Sequence, residues 1–102
     1  FMYWEDADYC IRAKKADWKV VYTPKTCLWH KVSASSGIGS QLNDYFLTRN
    51  RVYFAGRYLS LRTKLAVWRD TVRLIFKGRK WQRLGAIDAT LGVKGMGAYR
   101  KK

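Results

Sequence analysis

Three carboxylates fall within four positions, at Glu5, Asp6 and Asp8, directly behind the aromatic pair Tyr3-Trp4. A cluster of this kind is the stock from which a general base is drawn, one that takes the proton of a hydroxyl as its oxygen attacks. The same residues also suit an ordinary helix start. There, acids face the positive end of the macrodipole and satisfy free N–H groups, worth about 1 kcal/mol. On composition by itself the plainer role is favoured.

His30 is the one histidine in the chain. An isolated histidine is more often a core or surface residue than a metal ligand. Its position, after an expected strand and before the small-residue run Ser33-Ala34-Ser35-Ser36-Gly37-Ile38-Gly39-Ser40, improves its standing, because such loops commonly build sites.

These groups need elements to hold them. The run from Ala7 to Ala16 begins with acids and ends with cations, which predicts a helix. Trp18-Lys19-Val20-Val21-Tyr22 is β-branched and aromatic and stops at Thr23-Pro24, which predicts a strand. Thr26 to Val32 predicts a second, with Leu28, His30 and Val32 on one face and Cys27, Trp29 and Lys31 on the other. Ser40 can cap a helix that carries Tyr45, Phe46, Arg49, Val52 and Tyr53 and ends near Gly56. Ser60 can cap another, with Leu61, Leu65, Trp68, Val72 and Ile75 in one stripe and Gly78 as its stop. A third has the stripe Trp81, Leu84, Ile87 and Leu91 with Asp88 turned away from it, and beyond it the tail should fray.

The 102 residues suit one small domain. The opening run Phe1-Met2-Tyr3-Trp4 reads as cut from a longer chain. Lys and Arg number 21 against 7 Asp and Glu, for a net charge of +14. Residues 1–40 carry six basic and four acidic groups and residues 41–102 fifteen and three, so the second half holds nearly all the excess. A field of that sign draws phosphates, nucleic acid or an anionic membrane surface. Cys10 and Cys27 are too few for a disulfide framework, which favours free thiols in a reducing, cytoplasmic compartment. No stretch approaches the roughly 18–20 apolar residues of a membrane-spanning helix.

The succession Trp4-Glu5-Asp6-Ala7-Asp8-Tyr9-Cys10-Ile11-Arg12-Ala13, then Trp18-Lys19-Val20-Val21-Tyr22-Thr23-Pro24, then Trp29-His30-Lys31-Val32-Ser33-Ala34-Ser35-Ser36-Gly37, resembles the C-terminal part of family 2 glycosyltransferases. It is closest to bacterial rhamnosyltransferase-like members and covers about Phe1 to Arg51. The resemblance implies a GT-A fold whose nucleotide-binding half, with an Asp-x-Asp metal motif, comes first. It implies Asp6 as the base on the acceptor hydroxyl, Glu5 as its support and Trp4 as the wall of the acceptor site. Asp8 would hold the helix start. It further implies His30 as a ligand of the divalent metal, Mg or Mn, beside the donor diphosphate. Within Tyr45-Phe46-Leu47-Thr48-Arg49-Asn50, Arg49 would contact a donor phosphate, though an ion-paired or surface arginine fits as well. Two residues depart from the family pattern. Asp17 stands where glycine is usual and Tyr9 where leucine is usual, which alters a turn and a packing face but none of the site residues.

The expected fold is therefore an α+β fragment: a helix and a β-hairpin from the acceptor side of a GT-A fold, then about three mostly amphipathic helices. Residues 1–40 would be the acceptor-side and metal-histidine segment and residues 41–102 a basic helical region. The expected activity is sugar transfer, with inversion, from a nucleotide-sugar to a saccharide or lipid-linked acceptor in cell-envelope polysaccharide synthesis. The separate chain should be inactive and should self-associate into a homo-oligomer through apolar surface that the rest of the enzyme would cover. Its basic helices could lie on an anionic membrane, peripheral on the inner face. The competing class is a small nucleic-acid-binding module that joins phosphate neutralisation to base stacking. Against it, the aromatics fall at apolar helical positions or in strands, where they would serve a core.

Overall fold

The computed structural model describes residues 3–29 and 39–101. Its elements are α1 (Glu5–Lys15), α2 (Gln41–Tyr58), α3 (Leu61–Lys77), α4 (Lys80–Thr90) and a terminal 3₁₀ helix (Gly97–Lys101).

The expected α+β architecture is not found, since no strand occurs among the described residues. Trp18–Tyr22 and Thr26–Trp29 have no regular structure, and their side chains stand in solvent, with Tyr22 90% and Trp29 93% exposed. The β preference of Val, Tyr and Trp is in large part a preference for a pleated, half-buried surface, and here no neighbouring surface or ladder is provided. The remainder of the expected second strand, with His30, lies outside the described residues.

Helix ends follow local chemistry. Ser40 Oγ accepts from Asn43 N–H at 3.2 Å and starts α2. Ser60 does the same for α3 through Thr63 N–H, and Gly78 closes that helix with its N–H on Leu74 O at 2.8 Å. Helix α1 ends in a Schellman pattern, with Trp18 N–H on Ala13 O at 3.0 Å and Asp17 N–H on Lys14 O at 3.2 Å. Asp17 takes the left-handed backbone that this ending needs, at φ 61°. Helix α2 runs past Gly56 to Tyr58, because Tyr58 is anchored: its ring lies 5.2 Å from that of Phe54 and its hydroxyl donates to Asp8 at 2.5 Å.

The centre of the molecule is the crossing of α2 and α4. Tyr45, Phe46, Phe54 and Ala55 from α2 and Ala86 and Ala89 from α4 are buried. Gly85 allows the two backbones to meet, since a Cβ there would sit 2.5 Å from Tyr45 O. The Tyr45 hydroxyl donates to Asp88 Oδ2 at 2.5 Å, and the Ala98 N–H reaches the same carboxylate oxygen at 2.8 Å. Asp88 therefore turns inward, contrary to the sequence expectation, while Leu91 of the expected stripe is exposed. The described tail is held rather than frayed: the Tyr99 ring packs 5.2 Å from Trp81, 5.7 Å from Phe46 and 6.0 Å from Tyr45. Two ion contacts brace the helices. Arg79 grips Asp44 through two nitrogens at 2.7 and 2.5 Å, and Arg51 Nη2 lies 2.6 Å from Asp70 Oδ2, a contact of charges rather than an aligned hydrogen bond.

Replacing Gly85 with alanine should force the α2–α4 crossing apart, at a cost of about 1–3 kcal/mol. Urea unfolding of the variant should show a lower midpoint with an unchanged slope. An unchanged midpoint would mean that the close approach carries no constraint.

Candidate functional site

The acid cluster separates into two roles. Asp8 is buried against α2, where its Oδ1 accepts from Tyr58 and its Oδ2 from Arg12 Nε at 2.8 Å, with Arg57 Nη1 3.6 Å from Oδ1. The Tyr58 hydrogen bond holds the Asp8 carboxyl below the usual carboxylate range, burial opposes it, and Arg12 and Arg57 add to the lowering. Asp8 thus ties α1 to α2, rather than capping the helix start, where no described side chain caps the N–H groups. Glu5 and Asp6 stand in the first turn of α1 with exposed side chains.

Trp4 precedes them in left-handed backbone at φ 69°, as does Tyr3 at φ 59°. Two such non-glycine residues in succession are strained, and the strain is offset by what the indole does. Its ring stacks on Phe54 at 5.1 Å and its Nε1–H donates to Leu47 O at 3.3 Å. Half-buried, Trp4 fastens the start of α1 to α2, so only part of the ring is left to line an acceptor site.

Arg49 is buried in the face of α2 and ringed by aromatics, its guanidinium 4.9 Å from the ring centre of Phe46, 5.3 Å from Tyr45 and 5.9 Å from Tyr53. Its Nη1 donates to Gly95 O at 2.6 Å and its Nε to Asn50 Oδ1 at 3.0 Å. The arginine therefore staples the segment after α4 onto α2. It also lines a cleft of about 620 Å³ with Phe46, Asn50, Tyr53, Arg57, Lys94 and Met96. Three cations and no acid face that cleft over an aromatic floor, a composition suited to an anion that carries an apolar or ring-shaped part. The Tyr53 hydroxyl is tied to Val93 O at 2.7 Å, and burial raises the pKa of that phenol.

Sequence reasoning singled out Arg49 but missed Arg57, Lys94 and Met96. The signal for Lys94 was faint: a cation between Gly92 and Gly95 in a turn that follows a helix. Arg57 belongs to both regions, lining the cleft and approaching Asp8. His30 lies outside the described residues. Among those described, no three His, Cys, Asp or Glu side chains gather into a metal-sized group. Both cysteines are free, Cys10 half-buried and Cys27 exposed.

Comparison with family models, curated proteins and solved structures finds no match to this chain.

Because its pKa is lower folded than unfolded, Asp8 stabilises the α1 contact fully above the ordinary carboxylate range and loses that contribution as pH falls through the depressed value. The amide protection factors of α1, taken against the intrinsic exchange rate at each pH, should fall on acidification before those of α2 and α4 do. In Asp8→Asn, α1 should exchange fast at all pH values; identical profiles in the two proteins would remove Asp8 as the tie. Separately, Arg49→Lys should cost about 1–3 kcal/mol in thermal unfolding, since an ammonium cannot make both donor contacts and stack at once.

Proposed function

We propose that this chain is the C-terminal, acceptor-side portion of an inverting family 2 glycosyltransferase that moves a sugar from a nucleotide-sugar to a saccharide or lipid-linked acceptor. The ordered succession of motifs from Trp4 to Arg51 is the origin of the reading. The observation that carries it is the division of labour on α1. Asp8 is consumed in structure, whereas Glu5 and Asp6 stay exposed in the first turn.

In this reading Asp6 takes the proton of the acceptor hydroxyl, and Glu5 orients that carboxylate. The acceptor oxygen bonds to the anomeric carbon as the bond to the nucleoside diphosphate breaks on the opposite face. The departing diphosphate gathers negative charge, which the cleft of Arg49, Arg57 and Lys94 is suited to receive. A divalent ion in the complete enzyme would neutralise the same charge, held by His30 together with residues outside this chain. Rhamnosyl transfer in cell-envelope polysaccharide synthesis is the form of the activity that the resemblance favours, at the cytoplasmic face of the membrane.

A second reading, a nucleic-acid-binding module, gains from one observation. Trp18, Tyr22 and Trp29 are exposed rather than buried in a core, and Lys19 and Lys25 are interleaved with them.

In the complete enzyme Asp6→Asn should lower sugar transfer by about 10²–10⁴-fold with an unchanged melting temperature. Near-normal turnover would remove Asp6 as the base. In the chain itself, calorimetric titration with inorganic pyrophosphate should show binding that Lys94→Gln weakens about fivefold. Tight binding of single-stranded RNA with a steep salt slope, and none of pyrophosphate, would favour the second reading.

A further inference from the structure

Helix α3 carries its largest apolar side chains on the wrong face for a core. Leu61 is 73% exposed, Leu65 62%, Trp68 50%, Val72 38% and Phe76 75%. Their spacing of four, three, four and four residues places them within an arc of about 80° along a helix about 25 Å long. The bundle instead receives a separate strip of the helix, with Thr71 fully buried and Val67, Leu74 and Ile75 partly so.

Charge is sorted around the same helix. Arg62, Arg69 and Arg73, all exposed, follow one another along the edge of the apolar arc. The one acid of α3, Asp70, lies on the opposite side and is engaged by Arg51 of α2. From Thr71 to Ile87 the chain has no acidic residue at all, and Lys80 and Arg83 of α4 are exposed, Arg83 with its Nε–H on Ile75 O of α3 at 3.0 Å. Beside the stripe, a shallow, mostly apolar groove lined by Val52, Gly56, Lys64, Leu65, Val67 and Trp68 widens the face onto α2. No helix among the described residues is long and apolar enough to cross a membrane.

We infer that α3 docks this chain on an anionic lipid surface, its Leu61–Phe76 stripe entering the headgroup boundary and its arginine edge meeting lipid phosphates. An exposed apolar stripe bordered by arginines with no acid among them is complementary to that surface. Trp68, amphipathic and central in the stripe, sits where an indole settles at a membrane interface. A second copy fits less well. Antiparallel pairing of two α3 stripes sets each arginine edge against its own image and leaves those charges unneutralised. This inference stands on α3 alone and does not depend on the glycosyltransferase reading.

Flotation of the whole chain with vesicles tests it, using phosphatidylcholine alone or mixed with phosphatidylglycerol. Binding is expected only to the mixed vesicles, weakening as salt is raised. Leu65→Ser with Phe76→Ser should weaken it about tenfold or more, and so should Arg69→Gln with Arg73→Gln. All four positions are solvent-facing, so circular dichroism should be unchanged. Brominated acyl chains should quench the tryptophan emission of the bound protein, and less so in Trp68→Phe. Equal partition to neutral vesicles, or full binding by either double variant, would overturn the inference. So would a dimer in light scattering that is lost with Phe76→Ser while no vesicle binds.

Discussion

The Tyr45 hydroxyl and the Asp88 carboxylate hold one another inside a helical crossing. Tyr45 is fully buried, and a phenol in that position without a partner would cost more than its ring gains in packing. Asp88 supplies the acceptor, and the Ala98 N–H meets the same carboxylate. One polar junction therefore joins α2, α4 and the terminal 3₁₀ helix. Burial, and then the hydrogen bond to Asp88, raise the Tyr45 pKa, so the phenol keeps the proton it donates. The aromatic packing of Phe46, Trp81 and Tyr99 and the close passage at Gly85 are arranged around that bond.

Helix α1 is held differently. Trp4 on Phe54 and Leu47, Asp8 on Tyr58 and Arg57, and Lys15 over the Tyr58 ring at 5.2 Å attach it to α2. A helix fastened by a few polar and aromatic contacts opens more readily than one sunk in a core. The exposed Glu5 and Asp6 therefore ride on the least firmly held element, free to adjust to what they meet, while the cationic cleft is part of the rigid crossing.

What the sequence reveals here divides along the range of the forces involved. Ser40, Ser60 and Gly78 were legible as helix ends because capping is settled within four residues. Asp17 was marked as a turn residue only through the resemblance, as the occupant of a usual glycine position, and its φ of 61° fits that place. Asp8 was legible as a structural acid, though its partner Tyr58, 50 residues away, was not. The expected hairpin at Trp18–Val32 failed because strand preference depends on a surface that only the rest of a fold can provide. Asp88 was misplaced because a charge on a helix is ordinarily turned to solvent, and its tyrosine partner lies 43 residues off. For the site, Arg49 was recognisable as a cation of interest, but the cleft it shares with Lys94 arises from tertiary closure. Most of the α3 stripe was visible in its period, but the expected stripe ended on Ile75, which is partly buried, and missed the exposed Phe76.

The joints between helices bear on how the chain reaches this structure. Leu59-Ser60 between α2 and α3, and Gly78-Arg79 between α3 and α4, are two-residue links, so neighbouring helices can pair over short loops that close quickly. The Tyr45–Asp88 bond closes a loop of 43 residues, a larger closure entropy than either joint demands. Lys94 and Met96 follow α3 and α4 in the chain, so a nascent chain presents its apolar α3 stripe before it can complete a place for an anion.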